Sequence, residues 1–312
     1  METILNALVL TPEQRQQFLD AAPGVPQRFL RDADITPADL KGVTVMLGNP
    51  PVEAVRQGGQ SLRWLHTRSA GADQYQAPGV LPEGAMLSSS VGAYGVSVSE
   101  HLFAMLLAIL KRLPQYRDNQ REERWQRVGT ARTLHGAKVL IGGAGDIGSS
   151  LAVLCKAMGA ETLGIRRNAG KPAPGIDRMY TLADLDRLLP ECDVVALVFP
   201  RSPETDGLMN EERLRRMKPD AVLLNGGRGT AVDCDALARV LAEGRLYGAG
   251  LDVTEPEPLP AGHPLWSEPR AVITPHVAGG NSLAITADKI AGIALENLTR
   301  YLAGEQPANR LK

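Results

Sequence analysis

A cation, a carboxylate and an imidazole stand at three separate points in the second half of this chain. They are Arg228 in NGGRG (225–229), Glu257 in GLDVTEPEPLP (250–260) and His276 in ITPHVAGG (273–280). Each follows a short apolar run that reads as a strand: Val222–Leu224, Leu246–Leu251 and Val272–Thr274. An open parallel sheet places its ligands at such strand ends. Taken singly, a surface arginine, a loop glutamate between prolines and a lone histidine are ordinary. Together they suit one reaction. Arg228 would hold the carboxylate of a small oxo acid and polarise its ketone. His276 would give or take the proton on the ketone oxygen, and Glu257 beside it would favour the imidazolium. Hydride would pass between a nicotinamide and the carbonyl carbon, so a cofactor would carry the difficult chemistry.

The element that would bring such a cofactor lies upstream, in KVLIGGAGDIG (138–148). It reads as a buried strand, then the turn Gly143-x-Gly145-x-x-Gly148, then a helix carrying Leu151, Ala152, Leu154 and Met158. That is the dinucleotide fingerprint in its strand–turn–helix setting. Gly143 permits the tight turn, Gly145 lets the backbone approach a pyrophosphate, and Gly148 lets the helix pack on the strand. With Asp146 and Ile147 they form the expected cofactor-binding turn, and the helix N-terminus offers N–H groups to phosphate.

Around these motifs, strands alternate with helices. Strands are expected at Ile4–Leu10, Arg28–Arg31, Val43–Leu47, Leu62–Thr67 and Met86–Ser89. Helices are expected at Pro12–Ala21 and after Thr36-Pro37, where an N-cap precedes a first-turn proline. Beyond the fingerprint come further strands at Thr162–Ile165 and Val194–Phe199. Helices follow at Leu182–Leu189, Glu211–Met217 and Cys234–Glu243, and a closing helix runs from Ser282 to about Leu302. The pattern predicts an α/β protein of two doubly wound parallel-sheet domains. A helix from about Val98 through Lys111 is apolar on nearly every face, so burial between domains or between subunits is expected. The charged stretch Arg117–Arg127 reads as a solvated arm anchored by Trp125.

Length and composition agree. A chain of 312 residues exceeds what one core usually supports. A formal net charge of -1 gives no general reason to expect nucleic acid or an anionic membrane as partner. The apolar run Ile4–Leu10 lacks a cationic flank, which argues against a signal peptide, and the most apolar helix is too short for a bilayer. Three widely spaced cysteines, Cys155, Cys192 and Cys234, fit reduced thiols in a cytoplasm.

The order of blocks along nearly the whole chain resembles the D-isomer-specific 2-hydroxyacid dehydrogenases, which include glyoxylate/hydroxypyruvate reductases. The blocks are SAGAD (69–73), SVSEH (97–101), GGAGDIG (142–148), PRSPETDGLMN (200–210), MKPDAVLLNGGRG (217–229), GLDVTEPEPLP and TPHVAGG. The resemblance implies that Arg228, Glu257 and His276 are the catalytic arginine, the supporting acid and the acid/base. It also implies that the backbone at Ala70 and Gly71 receives the substrate carboxylate, and that Thr205 and Asp252 lie near the cofactor. Residues 1–97 and 283–312 would form a flavodoxin-like substrate domain. Residues 98–282 would form the Rossmann nucleotide domain, with the apolar helix helping to make a homodimer. The C3 side of the substrate would meet side chains near Ser69, Tyr75, Tyr94 and Trp266.

One departure bears on the cofactor. Where NAD-using members carry an acidic residue after the second strand of the nucleotide fold, this chain reads Gly164-Ile165-Arg166-Arg167-Asn168. Two guanidiniums suit the 2′-phosphate of NADP, so NADPH is expected to be preferred, with NAD possible. The expectation is an NADP-preferring, cytoplasmic reductase of small 2-oxo acids giving D-2-hydroxy acids, with no metal. Phosphoglycerate dehydrogenation is disfavoured by the arginine pair and the short segment after the closing helix. Formate oxidation is disfavoured because Glu257 stands where that branch usually has glutamine. A dinucleotide-sensing interaction module would share the same three residues.

Overall fold

The computed structural model describes residues 2–280 and 283–312, in two compact units: Met1–Tyr94 with Asn281–Lys312, and Gly95–Gly280. In the first unit the chain runs β1 (Ile4–Asn6), α1 (Pro12–Ala21), β2 (Gln27–Phe29), α2 (Pro37–Leu40), β3 (Val45–Leu47), α3 (Val52–Gly58), β4 (Trp64–Thr67), α4 (Asp73–Gln76) and β5 (Met86–Ser89). The strands lie in the order β2-β1-β3-β4-β5, all parallel, which is the flavodoxin-like order expected. Local chemistry sets the boundaries. Thr11 and Gln14 close a capping box around the first turn of α1, and Thr36 with Asp39 does the same for α2. β1 is shorter than the apolar run suggests, because the buried Asn6 side chain accepts from the Leu8 N–H and turns the chain out of the sheet.

The second unit contains α5 (Gly95–Leu110), α6 (Leu113–Arg121), β6 (Lys138–Gly142), α7 (Asp146–Ala157), β7 (Glu161–Ile165), β8 (Arg178–Tyr180), α8 (Leu185–Leu188), β9 (Val194–Leu197), α9 (Glu211–Arg216), β10 (Val222–Asn225), α10 (Cys234–Ala242), β11 (Gly248–Leu251) and β12 (Ala271–Ile273). Its seven parallel strands lie in the order β12-β11-β10-β9-β6-β7-β8. Counted from β6, the order is 7-6-5-4-1-2-3, a Rossmann sheet with one strand added. Strand β8 has no counterpart in the sequence reading, since Arg178–Tyr180 is short and barely apolar. A final helix, α11 (Ala284–Leu302), belongs to the first unit and packs against α1. The expected start of that helix at Ser282 lies outside the described residues.

The apolar helix α5 packs on α7 and across β10 and β11 of its own unit. A Cβ at Gly226 or Gly250 would collide with Leu102 or come within 3.3 Å of Met105, so glycine on the sheet is what lets the helix approach. Phe103 and Leu107 remain half-exposed. One expectation needs correcting: the charged stretch after α5 begins in the helix α6, and Trp125, beyond its end, is fully exposed, so it anchors nothing in this chain. All three cysteines are buried thiols; burial pushes Cys155 and Cys192 up to about 12, which keeps them unreactive. Among the described residues no helix is long and apolar enough to cross a membrane, and no cluster of side chains could hold a metal ion.

Candidate active site

The glycine turn joins β6 to α7. Gly143 adopts a φ of +100° and lies against the Val198 carbonyl, so a side chain there would be both strained and obstructed. A Cβ on Gly148 would strike the Gly143 carbonyl, whereas the space in front of Gly145 is open. The Asp146 carboxylate turns toward the start of α5, where Gly95 leaves it room. A cavity of about 460 Å³ opens here, bordered by Gly145, Asp146, Ser149, Arg166 and Lys171. Open backbone at a helix N-terminus with two cations across the cavity suits a dinucleotide with a charged ribose. Arg166 is held by a bond from Nη1 to the Lys171 carbonyl. Arg167 does not line the cavity; behind the Ser202 hydroxyl, which is the larger cause, its charge helps hold the Glu204 carboxyl below its ordinary range. Lys171 is the cation that the sequence reading missed, visible only as a basic residue in the loop after the arginines. A larger cavity of about 660 Å³, among Tyr116, Asn119 and residues 123–127, holds none of the candidate residues.

The three candidate catalytic residues follow three neighbouring strands, β10, β11 and β12. Arg228 is half-buried, with Nη1 on its neighbour's carbonyl at Gly227. The buried Asn225 folds the loop around it, donating to the Arg228 carbonyl and accepting from the Gly227 N–H. Glu257 and His276 meet: Oε1 lies 2.7 Å from Nδ1, with the two side chains 43% and 52% exposed. The carboxylate occupies Nδ1, so Nε2 is the ring nitrogen left to face a substrate.

His276 has a φ of +52°, a conformation an L-residue keeps only when its surroundings impose it. Asp252, 3% exposed, imposes it. Its backbone carbonyl accepts from the His276 N–H, and its carboxylate accepts from Thr274 Oγ1 and the N–H groups of Val277 and Ala278. Because the Thr274 hydroxyl is spent on Asp252, it must accept from His101 Nε2, 2.9 Å away. Asp252 therefore shapes the His276 turn. Thr205 is buried, and its hydroxyl bonds to the carbonyls of Pro200 and Ser202, closing the turn between them.

In the first unit, the SAGAD loop leaves β4. Asn49 Oδ1 accepts from the N–H groups of Arg68 and Ser69, and its Nδ2 donates to Ser69 Oγ. Among the described residues the N–H groups of Ala70 and Gly71 form no hydrogen bond. Two consecutive uncommitted N–H groups at a strand end are what an anion would need.

Comparison with known proteins decides the family. Residues 103–278 match the D-isomer specific 2-hydroxyacid dehydrogenase, NAD binding domain. The chain belongs to the D-isomer specific 2-hydroxyacid dehydrogenase family. It is similar to the glyoxylate reductase of Thermofilum pendens, with 32% identity over 81% of this chain and 76% of that one. Among solved structures it resembles a D-isomer specific 2-hydroxyacid dehydrogenase family protein from Aeromonas salmonicida, with 32% identity, a TM-score of 0.82, and coverage of 100% and 99% of the two chains. It also resembles the D-isomer specific 2-hydroxyacid dehydrogenase from Xanthobacter autotrophicus Py2, solved in complex with NADPH and MES, with 29% identity, a TM-score of 0.80, and coverage of 100% and 98%. As a member of the D-2-hydroxyacid dehydrogenase family, the protein is an NAD(P)-dependent enzyme.

Proposed function

We propose that this dehydrogenase works as an NADP-preferring reductase of small 2-oxo acids, related to the glyoxylate and hydroxypyruvate reductases, giving D-2-hydroxy acids. The observation that carries the reading is the His276–Glu257 pair, 2.7 Å apart, on strand ends next to that of Arg228 and in the sheet that also bears the glycine turn. The turn from Gly143 to Gly148 would hold the pyrophosphate, with Arg166 and Lys171 toward the adenosine phosphate and Arg167, Thr205 and Asp252 as further cofactor-side residues. When bound, the nicotinamide supplies the hydride. Arg228 binds the substrate carboxylate and polarises the ketone. His276 Nε2 delivers a proton to the ketone oxygen as it becomes a hydroxyl, while Glu257 holds the ring in line through Nδ1. Ala70 and Gly71 N–H groups receive the carboxylate from the substrate side.

In this reading residues 1–97 and 283–312 form the substrate domain and residues 98–282 the nucleotide domain. A homodimer forms through the half-exposed side of α5, and the three buried thiols suit a reducing cytoplasm.

The test is the initial rate of NADPH and NADH oxidation by purified protein against glyoxylate, hydroxypyruvate, pyruvate and phenylpyruvate. Faster NADPH-dependent reduction of a 2-oxo acid is expected. In the double variant Arg166→Asp with Arg167→Ala the cofactor preference should shrink or reverse. An unchanged cofactor ratio would refute the arginine assignment, and binding of NADPH without turnover of any 2-oxo acid would refute the reductase reading.

A further inference from the structure

The carboxyl edge of the five-stranded sheet holds a cation that the proposed reaction does not use. Arg68 directly follows β4 and immediately precedes the Ser69-Ala70-Gly71 loop. Its Nε lies 3.0 Å from Asp32 Oδ2, close enough for an ion pair but off the hydrogen-bond axis, and the side chain is 30% exposed. Among the described residues the guanidinium donates no hydrogen bond. Asp32 is 11% exposed and is itself fixed, its Oδ1 accepting from the Asn49 N–H at 2.7 Å. The guanidinium is thus held at one edge and open at the other.

Its neighbours have already spent their polar groups. The Tyr75 hydroxyl donates to the Pro50 carbonyl, the Tyr94 hydroxyl donates to the Arg68 carbonyl, and Ser69 Oγ donates to the Gly71 carbonyl. Burial pushes the Tyr94 phenol up to about 12 and Tyr75 upward too, and in both the Arg68 charge acts against that rise, so the guanidinium lies near both rings. Among the described residues, the Ala70 and Gly71 N–H pair and the outer face of Arg68 are donors on this edge that no hydrogen bond commits.

We propose that Arg68 determines specificity by binding a second carboxylate, so that the preferred substrates are dicarboxylic 2-oxo acids, with the first carboxylate at the Ala70–Gly71 backbone. This rests on the 2-oxo acid reductase reading above. A planar guanidinium fork matches a carboxylate in two parallel hydrogen bonds. One guanidinium whose charge is partly answered by Asp32 suits a monoanionic carboxylate better than a phosphate dianion, which calls for more positive charge.

The experiment has two readouts. In steady-state kinetics, the native enzyme is expected to favour oxaloacetate and 2-oxoglutarate over pyruvate and glyoxylate in kcat/KM. Arg68→Met should then lose about 10- to 100-fold on the diacids, mainly through KM, and stay within about threefold on the monoacids, with Arg68→Lys recovering part of the loss. Asp32→Asn, which breaks the clamp but leaves the guanidinium, should retain the diacid preference. A native enzyme that prefers monoacids or 3-phosphohydroxypyruvate, or an Arg68→Met loss equal across all substrates, would overturn the proposal. The second readout needs no turnover. By calorimetry, glutarate should bind native protein more tightly than butyrate and lose that advantage in Arg68→Met. Equal binding of the two by native protein would overturn the role of Arg68, whereas diacid-selective binding with no turnover would overturn only the reductase reading.

Discussion

Two histidines, one in each sheet, show how the same architecture can either silence or expose an imidazole. His66 lies in β4, wholly buried, between two serines of and just after β5. Trp64 Nε1 donates to Ser88 Oγ, and the same hydroxyl lies 2.8 Å from His66 Nδ1. Ser90 Oγ donates to the Thr67 carbonyl and so must accept from His66 Nε2. The neutral ring therefore carries its proton on Nε2 and accepts at Nδ1 from the Ser88 hydroxyl. Burial accordingly lowers His66 from 6.5 to about 4. His276 lies past β12, half-exposed, with a carboxylate on one nitrogen and solvent on the side of the other. Hydroxyl partners and burial make a structural histidine; a carboxylate partner and an open face are what the proposed proton donor needs.

The largest test of this contrast removes the donor. His276→Asn should lower kcat by about two to four orders of magnitude with cofactor binding nearly unchanged, measured by steady-state rates and NADPH titration. Near-native turnover would mean that another group delivers the proton.

The next test concerns the silent histidine. Above pH 6.5 His66 is neutral in both native and unfolded chains and contributes no pH dependence. Between 6.5 and about 4 the unfolded chain binds a proton that the native chain refuses, so stability falls as pH falls; below about 4 this dependence ends. A difference of about 2.5 pH units corresponds to roughly 3 kcal/mol. Urea midpoints followed by Trp64 emission should show this slope in the native protein, and His66→Gln should flatten it. A slope unchanged by that substitution would place the proton elsewhere.

Smaller effects test the supports. Glu257→Gln keeps an oxygen near Nδ1 but loses the charge, and about a tenfold drop in kcat is expected, with Glu257→Ala lower still. His101→Ala removes the donor that steadies Thr274 and, through it, Asp252. It should cost only a few-fold in kcat, about 1 kcal/mol, and Thr274→Val should cost a similar amount. If the double variant loses no more than either single one, the two act through one chain of bonds.

Much of the site was legible because its signals are local. Gly143, Gly145 and Gly148 carry their meaning in the spacing of one turn, and strand–helix alternation with short connections already implies parallel sheets. Glu257 and His276 could be paired in advance because each follows its own strand, and the structure brings their side chains within 2.7 Å. Less legible was whatever depends on residues far apart in sequence. Hydrophobicity required that α5 be buried, yet glycines more than a hundred residues later, at 226 and 250, decided that it would lie on its own sheet. Lys171 joins Arg166 because the loop after β7 folds back over the glycine turn.

By itself, then, the sequence determined the fold class, the family and the candidate reactive groups, since these follow from periodicity, turn chemistry and motif order. Tertiary structure alone decided which polar atoms remain free to act. Asp252 works through the backbone of the His276 turn, Asn49 clamps the loop that leaves Ala70 and Gly71 uncommitted, and two serines silence His66. Hydrogen bonds are made across space, and the capacity of each donor and acceptor is finite. Reactivity therefore falls to the groups whose neighbours have not already claimed them.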